Sequence, residues 1–438
     1  MNDLKITLVG GGSPNWTPRL VGSLLGRPEL DGSTITLFDL NPEPLALAHA
    51  LCQRYLEMSG SKCVVEQTTD RAAALDGAHA VSVTITTGGL RAMRQDMEVA
   101  ERYGIFHTVG DTCGPAGISR LLRNVPVFLE LGRAMETHCP DAWMLNCSNP
   151  LSGLTRVVNR ETSIRALGVC HGVPNVGGRY AKALKAERFA YVNTGIDHLS
   201  WFTSFVIDGK EMRDTLKEMD VDRWFALSPE KAKEDPTFGL LFPERNGIRL
   251  GLQLGALPAI GDRHLCEFLP TFLSSEENVA RFGLTRTTMD DREAAARGRF
   301  DDIERMIADP NLEVPHPEMD DVGAWITALH GGEPIEDNVS APNVGQIPQL
   351  PDGCVVETRA VLDTAGCHPL SSPLPEALEA IVRPHAIRDE MAVEAALTGD
   401  FDLALAALSS DPLVGGEDMA RDLMMELVEA TKEWLPRF

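Results

Sequence analysis

A chain of 438 residues, 43% of them hydrophobic and 24% charged, holds enough apolar material for the cores of two or three domains, so a packed body of enzyme size is expected. Sixty-four acidic against 40 basic side chains leave a formal charge of −24, which repels nucleic-acid backbones and anionic membrane surfaces and argues against both as partners. No apolar run approaches the roughly 20 residues of a membrane span, the start MNDLKITLVGGG lacks the length and cleavage site of a signal peptide, and nine cysteines without paired spacing read as the reduced thiols of a cytoplasmic protein.

In chain order, LKITLV reads as a short strand that stops at Gly10, Gly11 and Gly12, and PRLVGSLLGRPEL carries apolar residues at helical spacing. STITLFDL is a second strand ending near Asp39, EPLALAHALCQRYLEM the helix after it, and CVVEQTTD and AHAVSVTITTGG two further strands. The alternation continues through the helix ISRLLRNVPVFLELGRAMETHCP, the strand DAWMLNCSNP, the helix LSGLTRVVNRET and the strand IRALGVCHGVP. Such a pattern predicts an α/β fold with a doubly wound parallel sheet over residues 1–193. Beyond it, residues 194–438 read as a mixed α+β region with polar helical stretches such as TMDDREAAARGRFDDIERMIADP and amphipathic helices from Leu374 onward. Because GQIPQLPDGCVVETRAVLD reads as strands and not as a linker, this second region is not expected to be wholly independent.

Three glycines where a strand turns into a helix let the backbone approach a pyrophosphate closely, with free N–H groups at the helix start. The G-x-G-x-x-G pattern is incomplete, since Asn15 stands at its third glycine position. Asp39 ends the second strand, where a carboxylate accepts hydrogen bonds from the adenosine ribose and repels a 2′-phosphate, so NAD is expected over NADP; capping the next helix is its alternative role. Ser13 and Gly88 complete the expected cofactor contacts. The neighbours Cys170 and His171 in GVCHGVP leave three readings open, as a metal site, a nucleophile with its base, or core filler, because adjacent strand residues point to opposite faces.

With that turn in place, GDTCGPAGISRLLRNVPV, NCSNP, GVCHG and GIDHLSW follow in order, and GDRHLCEFLP and GQIPQLPDGCVVE…GCHPL come later. Together they make the chain resemble glycoside hydrolase family 4, whose members use NAD and a divalent metal and stand outside the two-carboxylate scheme of sugar hydrolysis. The resemblance implies a Rossmann-like sheet and a C-terminal metal-, substrate- and oligomer-forming region, in the manner of lactate and malate dehydrogenases, assembled as a homodimer or homotetramer. It implies that Cys170 and His198 bind the metal, usually Mn2+, and that His171 faces the sugar. Asp197 departs from the asparagine common in the family at that place. A histidine after the metal cysteine goes with non-phosphorylated sugars, and the wording of TVGDTCGPAGISR and GALPAIGDRHLCEFLP is most similar to the α-galacturonidase-like branch.

By the same resemblance, NAD removes hydride from C3 of the sugar and the metal polarises the resulting carbonyl. A base then takes the C2 proton, the aglycone leaves C1, water adds, and the hydride returns. Asn149 is the expected holder of the reacting hydroxyls, Asp262 the C2 base, and His171 the acid for the departing oxygen, with Asp111 in reserve. Arg263 and Arg94 are the candidate clamps for a uronate carboxylate, each with an ordinary ion-pair role as its alternative. Within the family, α-glucuronides, α-galactosides and α-glucosides are the alternative substrates. A metal-free 2-hydroxyacid dehydrogenase is the main competing class, and an inactive sugar or nucleotide sensor another.

Overall fold

KITLV and TITLF are runs of β-branched and long apolar residues, and both are buried along nearly their whole length, as strands covered by helices on both faces must be. They are the first of six parallel strands: β1 (Lys5–Val9), β2 (Thr34–Phe38), β3 (Val64–Thr68), β4 (Ala80–Val83), β5 (Trp143–Asn146) and β6 (Arg165–Gly168). Their spatial order, 3-2-1-4-5-6, is that of a doubly wound nucleotide-binding sheet, and it reverses between β1 and β4. The computed structural model describes residues 3–219, 221–225, 227–315 and 321–438.

After β6 the chain builds a second, antiparallel sheet from β7 (Phe189–Ile196), β8 (Leu199–Ile207), β9 (Lys210–Glu211) and β10 (Leu257–Pro258). It then returns: β11 (Ile335–Pro342) pairs antiparallel with β6 through Ser340 and Gly168, and β12 (Val355–Asp363) and β13 (Gly366–Pro369) extend the same edge. The expected division at residues 193 and 194 therefore falls inside β7, and the later half completes the earlier half's sheet. A core under the long helix Gly114–His138 joins both halves, with Leu121, Val125 and Phe128 packed in one cluster with Val393, Leu408 and Leu423.

Three local readings differ from the observed elements. The strand expected through Gly89 ends at Val83, because Gly88 and Gly89, at φ 77° and 54°, turn the chain into a helix, Gly89–Arg102, that the sequence reading did not anticipate. Its apolar face of Ala92, Met93, Met97 and Ala100 has helical spacing but is thin among charged residues. The first helix stops at Leu25, before Gly26 and Pro28, where it was expected to reach Leu30. Residues 345–354 form a loop where a strand was expected; the Asn343 amide donates to the carbonyls of Ile347, Leu350 and Pro351 and takes the place of a ladder.

Candidate active site

The C-terminal ends of β1, β2 and β4 open into a cleft of about 770 Å3 lined by Gly10, Gly12, Ser13, Asp39, Thr84 and Gly88, among others. Gly10 has φ 90°, and a Cβ there would lie 2.6 Å from the Thr84 carbonyl oxygen; a Cβ on Gly11 would lie 2.9 Å from the β2 backbone. The turn is thus closed to side chains and leaves bare backbone toward the cleft. Asp39 does not cap the following helix. That cap is Asn41, whose side chain accepts from the Glu43 N–H. Asp39 instead accepts the Gly12 N–H (3.0 Å) on one oxygen and the Asn41 N–H (3.0 Å) on the other, which fixes the carboxylate beside the glycine turn. Each oxygen keeps a second lone pair for a ribose hydroxyl. The cleft fits a dinucleotide.

A second group of side chains gathers at the end of β6 and at the β7–β8 hairpin. The ligand atoms of Cys170, Asp197 and His198 lie within 4.8 Å of one another, as do those of Asp111, His198 and His264. His198 belongs to both sets. It occupies the hairpin turn with φ 61°, a left-handed conformation uncommon for a non-glycine residue and characteristic of constrained sites. Thr112 Oγ1 lies 2.8 Å from its Nδ1, and the His264 ring centroid is 4.0 Å from its own. Burial depresses the pKa of both imidazoles, that of His264 to about 4, which keeps them neutral and able to ligate.

Burial also raises the Cys170 thiol far above its usual value, and the Asp197 and Glu357 carboxylates add to the effect. Among the described residues, neither buried Asp197 oxygen has a hydrogen-bond donor other than that thiol, and burial raises the Asp197 pKa. A buried carboxylate and thiol of this kind cannot both ionise without a cation. Two acidic donors facing one neutral imidazole therefore fit a divalent ion of the manganese or zinc type. Asp111 differs: burial opposes its ionisation, yet His264, His198 and Arg120, with the Thr112 hydroxyl, hold it well below the ordinary carboxylate range.

Beside this cluster is a cavity of about 300 Å3 lined by His171, Arg179, Glu244, Asp262, Arg263 and His264 together with His198. His171 precedes the helix Gly172–Ala183, with its ring 6.0 Å from that of Trp16. Asp262 is buried and accepts the N–H groups of Asn246 (2.9 Å) and Gly247 (2.8 Å); burial still pushes its pKa up to about 6. Asn149 sits across a cis bond from Pro150, with its carbonyl accepting from Arg120 Nε at 2.9 Å. Arg263 lies exposed at the rim, donating to the Thr108 carbonyl (3.3 Å) and to the Thr287 hydroxyl. The expected metal, acid, base and clamp residues Cys170, His198, His171, Asp262, Asp111 and Arg263 thus share one region. Arg94 does not join them: it pairs with Glu98, Asp290 and Glu293 and ties the helix Gly89–Arg102 to the helix Met289–Ala308.

Sequence reading passed over His264, Thr112 and Glu267. The signal for His264 and Glu267 was present in GDRHLCEFLP, where both stand close to Asp262. Glu267, buried, accepts from Val109 N (2.7 Å) and Gly110 N (2.9 Å) and lies 3.3 Å from His107 Nδ1, so it pins the loop that presents Asp111 and Thr112.

Residues 5–186 match the family 4 glycosyl hydrolases, and residues 193–414 match the C-terminal domain of that family. The chain belongs to this family of glycoside hydrolases, enzymes that cleave O-glycosidic bonds. An α-galacturonidase from Lachnoclostridium phytofermentans is 30% identical over 100% of this chain and 98% of its own. A Bacillus subtilis structure that carries a provisional glucosidase name is 29% identical, with a TM-score of 0.87 over 98% of this chain and 100% of that one. A 6-phospho-α-glucosidase from gut microorganisms, solved with NAD and Mn2+, shares the fold with a TM-score of 0.82 at 20% identity, over 99% of both chains.

Proposed function

We propose that this enzyme hydrolyses an α-linked, non-phosphorylated galacturonide, with NAD in the glycine-turn cleft and a divalent ion, Mn2+, on Cys170 and His198. The observation that carries this reading is the convergence of Cys170, Asp197 and His198, with ligand atoms within 4.8 Å, beside the sugar-sized cavity, Cys170 following β6 of the same parallel sheet whose strand ends form the dinucleotide cleft. A dehydrogenase of simple hydroxyacids has no use for that thiol-containing set. The α-galacturonidase similarity and the arginines of the cavity support an acidic sugar over a neutral one.

When bound, the two groups supply a hydride acceptor at C3, restored within each turnover, and Lewis acidity at the neighbouring oxygens; both make the C2 proton acidic. Asp262 receives that proton on its carboxylate, which burial has moved toward neutrality and so made a stronger base than an exposed aspartate. His171 donates a proton to the departing glycosidic oxygen, and Asn149 orients the reacting hydroxyls. Water then adds at C1. The nine cysteines, scattered without paired spacing, support a reducing cytoplasm as the setting. By the same reading the protein is a homodimer or homotetramer.

The test is a panel of p-nitrophenyl α-galacturonide, α-glucuronide, α-galactoside and α-glucoside with NAD, Mn2+ and a thiol reductant. The expected result is the highest kcat/KM on the galacturonide, with the glucuronide next. Turnover confined to neutral sugars overturns the substrate assignment. Net accumulation of NADH from a hydroxyacid without metal overturns the reaction class. Turnover in D2O should place deuterium at C2 of the product; its absence removes the elimination route.

A further inference from the structure

The sugar-sized cavity holds four charged side chains besides its histidines: Arg179, Glu244, Asp262 and Arg263. Both acids are already committed. Asp262 faces two backbone N–H groups, and Glu244, fully buried at 0% exposure, accepts from Arg179 Nη1. Arg263 spends its guanidinium at the rim on Thr108 and Thr287. Arg179 is different. It stands on the helix Gly172–Ala183, one turn beyond Asn175 and two beyond His171, with Asn175 and His171 lining the same cavity. Its side chain is 35% exposed while its partner is wholly enclosed. Among the described residues Glu244 is the one group that accepts from it, so one edge of the planar fork is anchored on a side chain that lines the cavity, and its other N–H groups have no acceptor there.

We infer that Arg179 is the residue that reads the sugar's C6 carboxylate, with buried Glu244 fixing the plane of its guanidinium and Arg263 contributing charge at the rim. The inference rests on the acidic-sugar reading above and names the specificity residue for it. The chemistry supports Arg179 over a free lysine or a rim arginine. A guanidinium oriented by one carboxylate offers its remaining N–H pair to a second carboxylate without losing side-chain entropy on binding. Burial also pushes the Glu244 pKa up to about 8, so the local positive charge is only partly cancelled. A neutral C6 hydroxyl at the same place gains a single ordinary hydrogen bond.

The experiment compares wild type, Arg179→Lys, Arg179→Gln and the double variant Arg179→Gln/Glu244→Gln, which removes both charges and leaves no unpaired buried carboxylate. Two quantities are read: the ratio of kcat/KM on p-nitrophenyl α-galacturonide to that on the α-galactoside, and the calorimetric Kd for D-galacturonate in the presence of NAD and Mn2+. Each glutamine variant should lower the ratio by about tenfold or more and weaken galacturonate binding by a similar factor, with lysine intermediate. If wild type prefers the galacturonide and the variants keep that ratio and Kd, Arg179 does not read the carboxylate, and the proposed function stands. If wild type prefers the neutral galactoside, both readings fail together. Should Arg179→Gln not fold, the lysine and double variants decide the question by the same two readouts.

Discussion

The two halves of the active site are built in different ways. The dinucleotide cleft is local architecture: Gly10 to Ser13 follow β1, Asp39 follows β2, and the pieces are tied by single hydrogen bonds such as Gly12 N–H to Asp39. The metal and sugar region is assembled from the Asp111 loop, the end of β6, the β7–β8 hairpin and the Asp262–Leu265 turn, and its key side chains are buried acids and neutral imidazoles. The first half stores its binding power in backbone shape and keeps it without a ligand. The second stores it in electrostatic tension that a cation relieves.

That contrast breaks most sharply at the proposed metal ligands. Cys170→Ser and His198→Ala should each reduce Mn2+-dependent turnover by about a hundredfold or more, toward the level seen in chelator. NAD affinity measured by calorimetry should stay within about threefold of wild type, because the cleft shares no ligand atom with the cluster. If NAD affinity collapses with metal affinity, the two halves are not separable. Wild-type turnover in either variant removes the metal assignment.

On the dinucleotide side, NAD should bind at least about tenfold more tightly than NADP, since the Asp39 carboxylate meets any 2′-phosphate at close range. Titration of both cofactors, with and without Mn2+, checks this. The preference should persist without metal if the cleft is the self-sufficient half.

The acid–base chemistry offers a pH test. Burial pushes the Asp262 pKa up to about 6 from an ordinary value of 3.8, and a bound divalent cation would bring it back down. As a base it works ionised, so kcat/KM should rise with pH along a limb centred at or below about 6. Its effect on stability has the opposite sign. A carboxyl whose pKa is raised by folding favours the fold at low pH, and that contribution is lost as pH rises from the ordinary value through about 6. Asp262→Asn should remove the acid limb along with most activity. A limb that survives the substitution assigns the base elsewhere.

The smallest effect is expected at Arg94. Arg94→Ala removes pairs to Glu98, Asp290 and Glu293 and should lower the melting temperature slightly, while the galacturonide-to-galactoside ratio stays at the wild-type value. A change in that ratio would return Arg94 to the sugar site.

The sequence by itself determined the elements whose cause is local. A β-branched run followed by glycines makes strand and turn, an aspartate at a strand end falls beside that turn, and regular strand–helix alternation dictates parallel order. The ordered blocks around Cys170 and His198 also carried the family, and with it the proposal of those two residues as a metal pair. Tertiary structure alone decided the rest. Packing of the helix Gly89–Arg102 against the helix Met289–Ala308 brought Arg94 to Asp290 and Glu293, so a candidate sugar clamp became an interhelix tie. The return of β11 beside β6 made the second half part of the first sheet. Asp197 became a buried acid against Cys170, His264 a partner of His198, and Arg179 an oriented guanidinium through Glu244, all by contacts between distant segments. The physical reason is one of range: backbone conformation is governed by neighbours along the chain, whereas burial, charge pairing and the pKa shifts they cause depend on which distant groups the packed fold brings within a few ångströms.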